Sequence, residues 1–161
     1  MSKIHVDAWR TTYSGIIPED YLRELSYEQW TSISKKMLEN PFPGVKTFVA
    51  DMEDTESVVG ATTAGPDRQN QSVYKGELFG IYILQPFQHQ GIGQQLVHEV
   101  KKHLLQLGLR SMRLWVLADN PYRAFYEKLG GQVVDEKWDT IDGKRLKELA
   151  YGWRDIRVLK V

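Results

Sequence analysis

Between Ile92 and Leu107 the apolar residues fall at 92, 96, 97, 100, 104 and 107. That spacing of three and four predicts an amphipathic helix, and Gly108 just beyond it supplies a stop. Trp9, Tyr13 and Ile16 recur at similar spacing and predict an earlier helix that ends near Ser14-Gly15. Ile17-Pro18-Glu19 opens a short helix whose apolar members are Tyr21, Leu22 and Leu25. Ser26 and Gln29 have capping-box spacing. They introduce a helix over residues 27–40, with Trp30, Ile33, Met37 and Leu38 on one side and Asn40-Pro41 as its stop.

Elsewhere the pattern changes to short apolar runs. Residues 46–52 (KTFVADM) and 58–64 (VVGATTA), joined by a polar loop at 53–57, predict an antiparallel hairpin. A polar loop over 65–75 leads through Gly76 to a third strand at 77–84. Residues 112–117 (MRLWVL) form the next strand, and 121–129 a short helix that stops at Gly130-Gly131. Strands at 132–138 and 146–153 flank a turn at Ile141-Asp142-Gly143. Helices at the front, then strand–helix–strand–helix, then a closing hairpin predict an α/β fold with a mixed sheet.

At 161 residues the chain is read as a single domain, 1–161, large enough to bury a core without disulfides or metal. Lysine plus arginine and aspartate plus glutamate both number 21. With no basic excess, neither nucleic acid nor an anionic membrane is an expected partner. Cysteine is absent, which removes thiolate metal sites and a cysteine nucleophile and fits a reducing cytoplasm. No apolar run approaches the roughly 20 residues of a membrane span, and MSKIHVDAWR has no signal-peptide core. His5, His89, His98 and His103 show no metal-binding spacing, so no metal is expected. No G-x-S-x-G elbow supports a serine acyl-enzyme.

The stretch ELFGIYILQPFQHQGIGQQL raises the chemical question. A plain turn needs one glycine, yet Gly91-Ile92-Gly93 has two just before a helix. A dinucleotide fingerprint fits poorly, because Leu96 stands where its third glycine belongs and residues 85–90 separate the strand from Gly91. The other reading takes Gln88, His89, Gln90, Gly91, Ile92 and Gly93 as one unit running into Gln94. Backbone N–H groups without helical partners would then face a diphosphate at the positive end of a helix.

The pattern Q/R-x-x-G-x-G/A after a strand, followed by Asn120-Pro121-Tyr122-Arg123-Ala124-Phe125-Tyr126-Glu127-Lys128-Leu129-Gly130, resembles the GCN5-related N-acetyltransferases (GNAT). Val6-Asp7-Ala8-Trp9-Arg10-Thr11-Thr12-Tyr13 is similar to a bacterial branch of that family. The resemblance implies the GNAT fold, a mixed and mostly antiparallel central sheet flanked by helices. It also implies acetyl-CoA as co-substrate and a primary amine, on a small molecule or a peptide, as acceptor. By the same resemblance, the Tyr126 phenol meets the departing sulfur, with Phe125 the better core residue. Asn120 and the strand edge at Ile81 and Ile83 hold the pantetheine arm, and Arg123 reaches the ribose phosphate. Glu77, half-buried, would accept the amine's proton directly or through water. Trp9, Arg10 and Tyr13, with the turn at 139–144, would surround the acceptor, Arg10 pairing with an acceptor carboxylate.

Two departures from the family are expected to matter. Too few residues precede Trp9 for the family's first edge strand and the start of its helix. Either that strand is missing, a partner chain covers the exposed edge as in a homodimer, or the true start lies upstream. Gly131 replaces the usual aromatic after Leu129-Gly130. An acyl-CoA-binding module without turnover is the alternative to an enzyme.

Overall fold

Alternation along the strands divides the molecule into two layers on a sheet. The computed structural model describes residues 2–40, 42–52, 57–69 and 73–161. The predicted stop at Pro41 and parts of two predicted loops, 53–56 and 70–72, lie outside the described residues. Three helices come first: α1 (Ser2–Thr12), α2 (Glu19–Glu24) and α3 (Tyr27–Glu39). Strands β1 (Lys46–Met52), β2 (Ser57–Pro66) and β3 (Gly76–Ile83) follow, then α4 (Ile92–Gln106) and β4 (Met112–Leu117). Helix α5 (Arg123–Lys128) and the hairpin β5 (Gln132–Ile141) and β6 (Lys144–Trp153) complete the fold. The six strands lie in the order β1-β2-β3-β4-β6-β5, and every neighbouring pair is antiparallel except β3 with β4.

Even-numbered β4 residues Met112, Leu114 and Val116 join Tyr151 and Trp153 of β6 in one core, closed by Val97, Val100 and Leu104 of α4 and Tyr126 and Leu129 of α5. Leu117 and Leu146 point to the other face and pack with Ile17 and Leu22 beneath α1 and α2. This period of two is what a sheet covered on both faces requires. The apolar stripe of α4 is buried at Leu96, Val97, Val100 and Leu104, while Leu107, just past the helix, is exposed. The stripe of α3 is not: the helix has no buried residue, and Ile33, Met37 and Leu38 are exposed. Its Ser26 cap does form, with Oγ accepting from the Gln29 N–H at 3.3 Å.

Strands β5 and β6 run further toward their turn than predicted. Asp142 and Gly143 both have positive φ, 46° and 75°, the two-residue primed turn whose twist lets both strands continue to its edge. Among the described residues β1 forms one edge of the sheet.

Strands β3 and β4 part almost at once. Their pairing is confined to Gly76 with Met112 and Glu77 with Arg113. Just beyond, the β2–β3 register jumps from Ala64–Leu78 to Thr63–Gly80, leaving Phe79 as the extra residue of a bulge. A bulge bends and twists its strand, so β3 follows β2 away from β4. A V-shaped opening remains in the middle of the sheet.

Candidate active site

Two cavities meet where the sheet opens. One, about 400 Å³, follows β3 and is lined by Ile81, Ile83, Gly91, Gly93, Asn120 and Tyr126 among others. The second, about 430 Å³, lies beneath α1 and includes Trp9, Arg68, Glu77, Lys137 and Glu148. Tyr13, Phe79, Tyr82, Trp115 and Val116 line both. A molecule laid along the first cavity therefore presents its inner end to the second.

The edge of β3 is open for backbone contacts. The Leu84 N–H donates to the Val59 carbonyl at 2.9 Å, on the β2 side. Alternation then turns the N–H and C=O groups of Ile81 and Ile83 away from β2, toward the opening. The Ile83 carbonyl accepts from the Gln88 side-chain amide at 3.0 Å, which leaves its N–H free for another partner.

Past β3, His89 and Gly91 take left-handed conformations, φ 60° and 83°. Gly91 caps α4, and the Gln95 N–H is the first to reach a carbonyl, that of Gly91 at 3.1 Å. The N–H groups of Gly91, Ile92, Gly93 and Gln94 have no backbone acceptor among the described residues. These four donors sit at the positive end of a 15-residue helix. The two glycines serve different needs. Gly91 supplies the left-handed turn, and a Cβ on it would meet nothing. A Cβ on Gly93 would come within 3.1 Å of Phe125 Cζ and 3.4 Å of Ile83 Cδ1, so Gly93 lets the helix close on the groove wall.

Several expected positions differ. The Gln88 N–H is already bonded to the Gln85 carbonyl, and the Gln90 amide to the Pro86 carbonyl, so both glutamines shape the loop. The side chain of Ile92 faces Gly60 of β2, away from the groove. Arg123 also turns away: Nη1 donates to the Tyr151 hydroxyl at 3.4 Å, and that hydroxyl donates to Glu127 at 2.7 Å. Arg10 is spent inside the protein, its guanidinium donating to the carbonyls of Leu22, Arg23 and Leu25 at 2.9–3.1 Å. It holds the C-terminal end of α2, where carbonyls lack helical partners, and has no free edge for an acceptor carboxylate.

Phe125 does not take the core place expected of it. Tyr126 is the buried member of the core, whereas Phe125 is half-buried and lines the groove. Yet Tyr126 also reaches the groove. Burial pushes its phenol well above the ordinary value, with Tyr13 and Tyr82 adding to the effect. The Asn120 side-chain amide donates to the Tyr13 hydroxyl at 3.1 Å, while its Oδ1 accepts from the Tyr122 N–H at 2.8 Å. Burial likewise lifts the Tyr13 phenol to about 12. Burial raises the Tyr82 phenol too, so Tyr126, Tyr13 and Tyr82 are all protonated at neutral pH and able to donate.

Glu77 is fully buried rather than half-buried, at 2 % exposure. Oε1 accepts from Arg68 Nη2 at 2.5 Å, and Oε2 accepts from both Arg68 Nε and the Arg68 backbone N–H at 3.1 Å. Behind the cleft, the His5 ring stands 3.4 Å from Trp30, 4.5 Å from Tyr82 and 5.3 Å from Trp9. Among the described residues no three His, Asp or Glu side chains converge as a metal group. No helix among them is long and apolar enough to cross a membrane. Sequence reasoning missed Phe79, Tyr82, Trp115, Lys137 and Glu148 as cleft residues. Glu148 had a visible signal, a charge in the middle of the apolar run LKELAYGW.

The opening between β3 and β4 thus leads into a groove that runs to the N-terminal end of α4, with the Tyr126 phenol on its wall. The chain belongs to the acetyltransferase (GNAT) family, whose model matches residues 4–131. It is 43% identical over 164 residues to the "uncharacterized N-acetyltransferase YuaI" of Bacillus subtilis (strain 168), covering 99% of this chain and 89% of that one. It is 28% identical over 130 residues to spermidine N(1)-acetyltransferase of Thermoplasma acidophilum, covering 80% and 78%. Among solved structures, the PaiA N-acetyltransferase of Thermoplasma acidophilum in complex with coenzyme A shares the fold. The TM-score is 0.66 at 23% identity, over 91% of this chain and 88% of that one.

Proposed function

We propose that the protein transfers an acetyl group from acetyl-CoA to a primary amine by direct attack of the amine on the thioester. The observation that carries this is the meeting, in one groove, of the open β3 edge with the four unbonded N–H groups at the start of α4. Acetyl-CoA supplies the activated acetyl group. The N–H groups of Gly91, Ile92, Gly93 and Gln94 suit its diphosphate, and the free edge at Ile81 and Ile83 suits the pantetheine amides as an added strand would. Asn120 stands at the same groove.

Chemistry then falls at the junction of the cavities. The Ile83 N–H is the donor for the carbonyl oxygen that gains negative charge. Tyr126 donates to the leaving sulfur. An ordinary phenol, at about 10, is already a weaker acid than a thiol at about 8.5, and burial widens that gap. Its role is therefore hydrogen bonding to developing charge, not complete proton transfer. The amine proton passes through a water to the Glu77 carboxylate, whose Oε1 accepts one hydrogen bond from Arg68 and keeps a lone pair for that water. Similarity to a spermidine acetyltransferase supports an alkylamine as acceptor, and the cysteine-free composition supports a cytoplasmic setting.

Calorimetric titration with acetyl-CoA, followed by thiol release against alkylamines, spermidine, amino acids and peptides, tests this. Micromolar binding with release on one amine class is the expected result. Binding without release on any amine would instead favour a non-catalytic acyl-CoA module. Absence of binding would overturn the proposal.

A further inference from the structure

The acceptor cavity already contains a primary ammonium belonging to the protein itself. Lys137, on the outermost strand β5, sets Nζ 2.9 Å from Glu148 Oε2 and 4.5 Å from the centroid of the Trp115 ring. These three side chains come from three adjacent strands. Lys137 pairs with Glu148 across β5–β6, and Trp115 pairs with Ala150, two residues along β6 from Glu148. Positions two apart share a face, so the trio projects together into the cavity, where it lines the wall with Tyr13. A carboxylate beside an indole face is the chemistry that recognises an alkylammonium ion.

The two carboxylates of the cleft are held very differently. Glu77 accepts three hydrogen bonds from Arg68, whereas the buried Glu148 Oε2 meets Lys137 as an ion pair and accepts no hydrogen bond. Arg113 approaches the same indole at 5.7 Å but is fixed to Asp67 and Gln69. Lys137 has no such anchor. Its side chain is 43% exposed, and it stands on a strand exposed along nearly its whole length. Among the described residues its ionic partner is Glu148 alone.

We propose that Glu148 and Trp115 form the subsite for the ammonium group of the acceptor, and that Lys137 occupies it as a built-in competitor until an acceptor amine displaces it. This rests on the amine acetylation proposed above and names its acceptor class as a primary aliphatic amine, held as the cation before it is deprotonated. Lys137 then sets the threshold concentration of amine at which the subsite fills.

The test is titration of n-butylamine into the coenzyme A-saturated protein, followed by steady-state kinetics with the same amine. Lys137→Met keeps the length of the side chain and removes its charge. It should tighten n-butylamine binding and lower KM by about fivefold, the scale of one partly exposed ion pair. Lys137→Arg keeps the competing charge and should not tighten n-butylamine binding. Glu148→Gln should weaken amine binding at least tenfold. In the Glu148→Gln background, Lys137→Met should have no further effect, a non-additivity that a merely structural role would not produce. Unchanged or weaker binding in Lys137→Met, or additive effects in the double variant, would overturn the proposal. Tighter amine binding without turnover would leave this subsite standing and remove the acetylation reading instead.

Discussion

His5 gives the protein an acid-sensitive contact directly behind the cleft. Its ring is packed among Trp9, Trp30 and Tyr82, and burial lowers its pKa from 6.5 to about 4. The folded protein therefore holds His5 neutral over a range in which the unfolded chain binds a proton. Because the folded value is depressed, the contribution is fully present above about pH 6.5. It is lost as pH falls through the window from about 6.5 to 4. At about pH 5 the unfolded histidine is almost wholly protonated and the folded one almost wholly neutral. Linkage then sets the loss at about 2 kcal/mol, or about 1–2 kcal/mol once the ring's remaining solvent contact is allowed for. Replacing His5 with Phe keeps an aromatic ring of similar size and removes the titration. Urea unfolding followed by tryptophan fluorescence, at about pH 7.5 and pH 5, measures the difference. Relative to the variant, the wild-type midpoint should fall by an additional 0.5–1 M or so, given a slope of about 1–3 kcal/mol per molar. Carboxylates that titrate in the same range affect both proteins alike. Parallel loss in wild type and His5→Phe would refute the reasoning.

Tyr126→Phe should lower kcat by about 10- to 100-fold, the scale of one hydrogen bond to a charged atom, while acetyl-CoA affinity measured by calorimetry stays within about twofold. Gly91→Ala should cost about 1–2 kcal/mol through its left-handed backbone alone. Gly93→Ala should cost a similar amount through contact with Phe125, and thermal melts with and without coenzyme A separate the two by the added loss of ligand stabilisation. Arg10→Ala should destabilise the fold by about 2–3 kcal/mol in urea unfolding, because three carbonyls at the end of α2 lose their donor. Its KM for acceptors that carry a carboxylate should change no more than for those that do not.

How much was legible in the sequence depended on the range of the interaction. The α4 stripe, the Ser26 cap, the Asp142-Gly143 turn and the glycine before α4 are local patterns. Their periodicity and backbone preference act within a few residues, so helices, strands and the glycine turn that opens α4 could be read in order. Face assignment for Phe125 failed because the 100° between neighbours on a helix says which side each takes only once the neighbouring sheet is known. Arg10, placed beside aromatic residues, suggested a ligand contact, yet the carbonyls that claim it lie 12 to 15 residues away. Glu77 was visible as a carboxylate near the cleft, but its pairing with Arg68 depends on the β2–β3 register that sets residue 68 beside residue 77.

By itself the sequence determined the elements, the mixed α/β character and the family, since each rests on short-range spacing and on motifs contiguous along the chain. Tertiary structure alone decided where β3 leaves β4, because one extra residue in the β2–β3 register turns a paired strand into an open edge. It alone brought Lys137, Trp115 and Glu148 together, because that meeting depends on the register of three strands whose order in the sheet differs from their order in the chain.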